Sequence, residues 1–572
     1  MRKHFFTLIL ALFAGIGAAW AQDYDFSAVC STGQTLYYKI IDADAHTAML
    51  TAPHPYLNWF GFTEPVGDIV LPEMVEYNDV NYSVTEINDD TFNGCEGLTG
   101  SLNIPNSIIK IGDYAFYGCD GLVGSLTIGN SVTEFGNFAF WGCSGFTGSL
   151  VIGNSVTTIG EGAFQECSGF NGSLSIGNSV KKISNAAFYL CSGFTGSLTI
   201  GDSVNEIGDL AFDGCSGFTG SLCIPNSVVK IGISAFNGCS GFSGSLSIGN
   251  SLSEIAEDAF NSCSGFTNLT IGNSVSTIGN NAFYGCSGFK GTLIIPNSVS
   301  TIGNNAFSGC SGFDGSLYFG KSVTRVGSNA FMDCNGFSGT LSFNSVIHFD
   351  IFPFGNFGGF SSIISKTSTP PIMYFGTFFT MYDTIPVYVP CGCSETYCQA
   401  TAWDQFTNFQ EFKPYDINLF SSDETMGSVA ITQLPDCETG ICKVLATPKS
   451  GYKFDYWMEN GAQVSTDAEY SFEATADRTL TAYFSTLQNV NSFAEPRVQL
   501  FPNPTNGVLN VVCDGMRHIT IMNTLGRVVY EAEPVDAQSA QISLSGFDAG
   551  VYIVRITTDN GMISKSVVKA EL

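Results

Sequence analysis

The residue type best able to do chemistry in this chain is cysteine, and it recurs with a fixed step. Cysteines stand at 95, 119, 143, 167, 191, 215, 239 and 263, then at 286, 310 and 334, a spacing of 24 residues with one 23-residue step. Five of the eleven sit in a Gly-Cys-Ser-Gly-Phe run such as Gly142–Phe146. A nucleophilic serine at a strand-to-helix elbow needs a glycine at the fifth position and a histidine base, and this run has neither. A redox role fares no better. Neighbouring cysteines of a stacked array would lie about 5 Å apart at Cα, within reach of a disulfide. Each, however, sits in an apolar ring without a basic partner, so free buried thiols acting as small hydrophobes are expected.

Other sites are sparser still. The histidines are His4, His46, His54, His348 and His518, in unlike segments and without metal-ligand spacing, so no zinc site or other cofactor is expected. Cys391, Cys393 and Cys398 form the nearest approach to a cluster. In an exported chain a disulfide between two of the three is the expected outcome. Cys437 and Cys442 bracket a short acidic turn and are expected to close it as a second disulfide. Gly355–Gly359 is followed by no lysine and opens no helix pattern, which removes a phosphate loop.

What the cysteines mark is a repeat. A Phe stands three positions before each, from Phe92 to Phe331, and an apolar residue eight before, from Ile87 to Val326. Eleven copies at one period predict a solenoid. In the copy that starts at Ser125, Leu126 and Ile128 alternate with Thr127, a strand with Leu and Ile inward. Gly129, or Pro in copies such as Pro105, Pro225 and Pro296, ends that strand before an Asn-Ser turn. Val132, Phe135, Ala139, Phe140, Cys143 and Phe146 are expected to point inward around the rest of the coil. One coil cannot bury them alone. Stacking at the strand spacing of about 4.8 Å does, giving an array roughly 50 Å long.

Bulk composition agrees. The 572-residue chain is only 13% charged, with 64 Gly and 48 Phe, and carries a net charge of −29. That acidity opposes nucleic-acid binding. Residues 1–21 follow secretory grammar: Arg2 and Lys3, an apolar stretch from Phe5 to Gly17, and Ala19-Trp20-Ala21 before cleavage between Ala21 and Gln22. No later apolar run reaches the roughly 18 to 20 residues of a membrane span, so the mature chain is expected to lack a transmembrane segment.

The repeat resembles the BspA-type leucine-rich repeats of Bacteroidetes surface proteins. Residues 295–310, Ile-Pro-Asn-Ser-Val-Ser-Thr-Ile-Gly-Asn-Asn-Ala-Phe-Ser-Gly-Cys, carry the match. The resemblance implies a right-handed leucine-rich-repeat solenoid, β-rich, with one short strand per 23–24-residue coil and few helices. Most copies here hold one residue more than that family's usual 23, a Gly-Ser insertion between Phe146 and Leu150 that is absent between Phe266 and Leu269. It reads as a small bulge at the strand entrance.

The flanks divide the chain further, with small β-sandwich domains expected after the solenoid. Residues 22–83 are expected to cap the N-terminal end of a solenoid over 84–345, and 346–415, with Ile385–Pro390, Tyr397 and Trp403, its C-terminal end. Residues 416–486 resemble an InlB B-repeat module through Gly427–Ile431, Ala446–Trp457 and Leu480–Phe484. A linker over 487–497 leads to 498–572. There Val498–Val511, Ile519–Tyr530 and Leu544–Ile556 resemble a type IX secretion C-terminal sorting domain. That resemblance implies the type IX machinery as a partner and delivery outside the cell, attached or released.

Two surfaces could bind. The outward strand position reads Asn103, Thr127, Val151, Ser175, Thr199, Cys223, Ser247, Thr270, Ile294, Tyr318 and Ser342, which suits either a binding face or an ordinary exposed strand. After the ladder Phe come Tyr117, Trp141 and Tyr189, either contact residues or edge packing. A surface binder of host matrix proteins, glycans or other cells is expected, with no catalysis. A passive display spacer is the alternative, and an enzyme would need a constellation the sequence does not hold.

Overall fold

The computed structural model describes residues 23–54, 57–356, 359–374, 385–487, 498–523, 527–534, 538–558 and 561–570. The leader with its Ala21–Gln22 junction, and 488–497 of the linker, lie outside the described residues. The chain divides into two compact units. One comprises residues up to 418 with 430–445 and 469–479, and the other 419–429, 446–468 and 480–572.

The first unit contains the stacked coils, numbered 1 to 11 here by their cysteines from Cys95 to Cys334. The sequence pattern shows one strand per coil, and the structure has two. In coil 3 these are Leu126–Thr127 and Glu134–Phe135. The second is only two residues long, too short for alternation to reveal it. Pairing between coils is parallel: Leu126 faces Leu102, and Phe135 lies between Ile111 and Ile159. Across the 23-residue step the register holds, with Leu246 opposite Leu269. The Gly-Ser insertion forms a hydroxyl ladder. The amide of Ser125 donates to Ser101 Oγ at 3.0 Å, and those of Ser173 and Ser197 to Ser149 and Ser173.

Burial follows the column pattern. Val132, Phe135, Ala139, Phe140, Cys143 and Phe146 are all buried. The rings from Phe92 to Phe331 stack coil on coil with centroids 5.0 to 5.6 Å apart. In the second ring column the widest gap, 6.3 Å between Phe266 and Phe289, falls at the 23-residue step. The cysteine column is free and buried. From Cys119 to Cys334 each thiol donates to a Phe carbonyl of the coil before, Cys143 Sγ to Phe116 O at 3.0 Å and Cys334 Sγ to Phe307 O at 3.0 Å, for example. The sulfur thereby fills space and also satisfies an interior donor.

Both ends of the stack continue into further strands. The antiparallel strands Phe26–Val29, Thr35–Asp42 and Thr47–Thr51 stand at one edge, the last pairing parallel with Val80–Ile87. At the other, Ser362–Ser365, Val387–Pro390 and Phe409–Phe412 extend the sheet beyond Thr340–Phe343. Tyr397 and Trp403 are wholly buried there, and Trp403 Nε1 donates to Pro371 O at 2.9 Å.

The disulfide expectations are corrected. Cys391 is bonded to Cys437, with Cα atoms 5.8 Å apart, and Cys393, Cys398 and Cys442 are free, so neither the Cys437–Cys442 closure nor a bond within Cys391, Cys393 and Cys398 forms. Cys442 sits in the strand Ile441–Pro448 opposite Phe472, with its side chain fully buried. Strand alternation turns it inward, away from the turn that carries Cys437. Asp416 pairs with Lys321 and Lys366, and Lys321 reaches Asp477 at 3.4 Å. Burial raises the Asp416 carboxyl, but the two ammonium groups outweigh it and hold it below its ordinary value.

The second unit is also β-structured. Tyr452–Glu459 pairs with Ala462–Ser465 and with Arg478–Thr486, and buries Trp457. Toward the C terminus, a three-stranded sheet (Gln499–Phe501, Val508–Val512, Ser539–Ser543) and a four-stranded sheet (Val528–Ala532, Met516–Asn523, Gly550–Thr558, Gly561–Lys569) share one core. Leu509, Val511, Ile521 and Val554 lie at its centre.

Candidate binding surface

The outward column of the first strand is exposed along most of its length. Val151 is 61% and Ile294 65% exposed, with Thr127, Thr199, Thr270 and Tyr318 also open and Ser175 and Ser247 half-buried. Ser342 departs from this pattern and is buried. The column offers small hydroxyls at a regular rise and no cluster.

The second strand carries the charges that the first lacks. Lys182, Glu206 and Lys230 form an ion-pair ladder at 3.4 and 3.0 Å. The hydrogen bond from Lys230 holds the Glu206 carboxyl below its ordinary value. A cleft of about 260 Å³ follows along Glu254, Thr277, Thr301 and Arg325. Arg325 is already engaged there by Asp350, its Nη2 donating at 2.7 Å.

The turn that follows the second strand is where the repeat loses its uniformity. Two positions per turn, two before and two after the ladder Phe, take left-handed backbone in nearly every coil. Asn, Asp and Gly suit such positions, whereas larger side chains cost about 1 to 2 kcal/mol each. From Ser234 to Asp333 these positions carry only Ser, Asp, Asn and Gly. Coils 2 to 6 instead place Tyr114, Phe138, Glu166, Leu190 and Leu210 there, with φ between 55° and 60°.

Two of these side chains, Tyr114 and Phe138, pack against the aromatic residues expected from the sequence. Tyr117 and Trp141 meet edge to face at 4.9 Å. Tyr114 stacks on Phe138 at 5.2 Å, and Phe138 lies 5.3 Å from Trp141. All four are half-buried, as is Tyr189 two coils on. Tyr189 has no place in the four-ring group. Sequence reasoning missed Tyr114 and Phe138 because it followed the position after the ladder Phe. Reading the position two before it, as Asp90, Tyr114, Phe138, Gly162, Ala186 and Leu210, would have found them.

Next to the rings lies a shallow cavity of about 400 Å³, lined by Gly142, Ser144, Glu166, Ser168, Leu190 and Ser192. Gln165 links the two, its Nε2 donating to Glu166 Oε1 at 3.2 Å.

The histidines stay apart. His54 Nδ1 accepts from the amide of Leu57, His348 pairs with Asp350 and His518 with Glu531. Among the described residues no three of His, Cys, Asp and Glu gather as metal ligands. Burial raises the ladder thiols, Cys286 to about 12.

With this geometry the family comparison becomes informative. Residues 85–219 and 218–338 match the BspA type leucine rich repeat region, in six copies. The solenoid is a BspA-type leucine-rich-repeat region. Residues 418–488 match the divergent InlB B-repeat domain and 499–570 the secretion system C-terminal sorting domain. No curated protein matches the chain. Among solved structures, a leucine rich cell surface protein from Faecalibacterium prausnitzii is 21% identical, covering 60% of this chain and 96% of its own, with a TM-score of 0.36. A leucine-rich repeat protein from Bacteroides ovatus is 23% identical over 56% of this chain and 95% of its own, with a TM-score of 0.30. The pneumococcal vaccine antigen PcpA is 17% identical over 68% of this chain and 99% of its own, with a TM-score of 0.34. Residues 499–570 thus supply a sorting tail for type IX export to the cell surface. Among the described residues no helix is long and apolar enough to cross a membrane.

Proposed function

We propose that this protein is a surface binder that contacts protein or glycan partners on host or other bacterial cells, and that it catalyses nothing. The observation that carries the reading is the set of large side chains in left-handed backbone on coils 2 to 6. The fold does not need them, because coils 7 to 11 make the same turn with Ser, Asp, Asn and Gly. Their backbone cost is borne for something outside the fold. Half-exposed aromatic rings are efficient anchors, and Tyr114, Tyr117, Phe138 and Trp141 supply four within two coils.

The spacer reading draws on a different observation, the outward column of the first strand, where Ser and Thr recur and no cluster forms. One experiment separates the two. The secreted full-length protein is compared, in binding to host and bacterial cells, with a variant carrying Tyr114→Asn, Tyr117→Asn, Phe138→Asn and Trp141→Asn. Asn occupies these same positions in later coils as Asn281, Asn305, Asn237 and Asn261, so the variant keeps the turn. Binding is expected to fall about tenfold or more. Absence of binding by both proteins would favour the spacer, whereas equal binding by both would place the contact away from these rings.

A further inference from the structure

We infer that the aromatic group and the cavity beside it form one saccharide site, selective for neutral or amino sugars over sialylated or sulfated ones. The inference rests on the binding reading above and names its ligand.

Continuity of the site is given by contacts. The Phe138 ring lies over Gly162, where an added Cβ would stand 2.4 Å from two ring carbons and 3.2 Å from Gln165 Oε1. Gln165 then donates to Glu166, which lines the cavity with the hydroxyl-bearing Ser144, Ser168 and Ser192. The surface therefore runs from apolar rings through a planar amide and a carboxylate to hydroxyls one coil apart, a rise of about 4.8 Å. A pyranose presents the complement. Its C–H face packs on aromatic rings, and its hydroxyls both donate to a carboxylate and exchange hydrogen bonds with serine and amide groups.

Charge narrows the class. The six turn segments 90–94, 114–118, 138–142, 162–166, 186–190 and 210–214 hold no Lys or Arg, but they do hold Asp90, Glu166 and Asp213. Within these segments an anionic sugar meets carboxylates and no cation. An extended peptide is disfavoured on other grounds. The turn amides are already spent between coils, Gly118 N to Trp141 O at 2.7 Å and Glu166 N to Tyr189 O at 2.7 Å, for example. The site offers no strand edge for a peptide to join.

The test uses the full secreted protein on an array of immobilised neutral, amino-sugar, sialylated and sulfated oligosaccharides, with Trp141→Asn, Phe138→Asn and Glu166→Gly variants alongside. Thermal melting of each variant verifies the fold. Neutral or amino-sugar oligosaccharides should bind, their sialylated or sulfated forms more weakly, and each variant should lose about tenfold or more. Equal binding of charged and neutral forms, or variants that bind like the parent, overturns the inference. Cell binding that the four-Asn variant loses, but that enzymatic deglycosylation of the cells leaves intact, sinks the saccharide and leaves a protein partner. Cell binding that the four-Asn variant keeps sinks the saccharide site and moves the binding reading off these rings.

Discussion

The ring of Phe138 occupies the space that a side chain on Gly162 would need, with Cδ1 and Cε1 2.4 Å from where its Cβ would stand. Leu190 and Gly214 repeat the relationship two coils on, Leu190 Cδ2 lying 2.6 Å from the equivalent point. At these two places a large residue in left-handed backbone on one coil is paired with a glycine on the next.

Gly162→Ala should therefore destabilise the repeat region for two separable reasons. Its φ of +56° costs an alanine about 1 kcal/mol, and the displaced ring adds about 1 to 2 kcal/mol of overpacking. In a Phe138→Asn background only the first cost remains. Denaturant midpoints for the four proteins of this cycle read the difference as coupling. Additive effects would show that the ring is not seated on Gly162.

The columns that this relationship joins were legible in the sequence to unequal degrees. The strand Leu126–Ile128 alternates, and the ladders of Phe and Cys repeat eleven times, so the solenoid and its core followed from period alone. The second strand, Glu134–Phe135, escaped because two residues make no pattern. Tyr117 and Trp141 were visible as large residues at a variable position. Tyr114 and Phe138 matter because of backbone handedness, which the sequence does not display. The Cys391–Cys437 bond joins residues 46 apart, and no local spacing rule reaches that far.

The buried thiols should make the repeat region sensitive to alkali. A thiol whose folded pKa exceeds its unfolded one stays protonated in the fold while the unfolded chain ionises. Its contribution is complete below the unfolded value of about 8.5 and is lost as pH rises from there toward the folded value. For Cys286 that window extends to about 12. Each thiol withdraws at most about 1.4 kcal/mol per pH unit, and the effect accumulates along the column. Melting curves between pH 7.5 and 10.5 should show a steep decline, made shallower by Cys→Ala at several ladder positions. A decline unaffected by those substitutions would assign it to other groups. At neutral pH, iodoacetamide should label the exposed Cys223 and Cys398 and leave the ladder untouched.

Acid should act on the opposite sign through Asp416. Its folded pKa lies below the ordinary value because Lys321 and Lys366 outweigh the cost of burial. The carboxylate therefore stabilises the fold above the unfolded value of about 3.9, and that stability is lost as pH falls through the folded value. Asp416→Asn should cost about 1 to 3 kcal/mol at pH 7, since Lys366 and Lys321 both lose this carboxylate and Lys321 keeps only Asp477 at 3.4 Å. The gap between the two proteins should narrow below about pH 4. Midpoints that differ equally at pH 7 and pH 3 would mean that charge is not what Asp416 contributes.

The Cys391–Cys437 bond should survive export and cross-link two peptides far apart in sequence. Non-reducing digestion with mass spectrometry is expected to recover that pair and to find Cys393, Cys398 and Cys442 as thiols. Closing a loop of 46 residues removes enough freedom from the unfolded chain to stabilise the fold by about 4 kcal/mol. The joint Cys391→Ala and Cys437→Ala variant should accordingly expose residues 430–445 to protease while coils 1 to 11 stay protected by their stacked rings. If the coils became equally susceptible, the bond would be holding the whole stack rather than its terminal segment. If the digest recovered Cys437 bonded to Cys442, the inward-facing placement of Cys442 opposite Phe472 would be wrong.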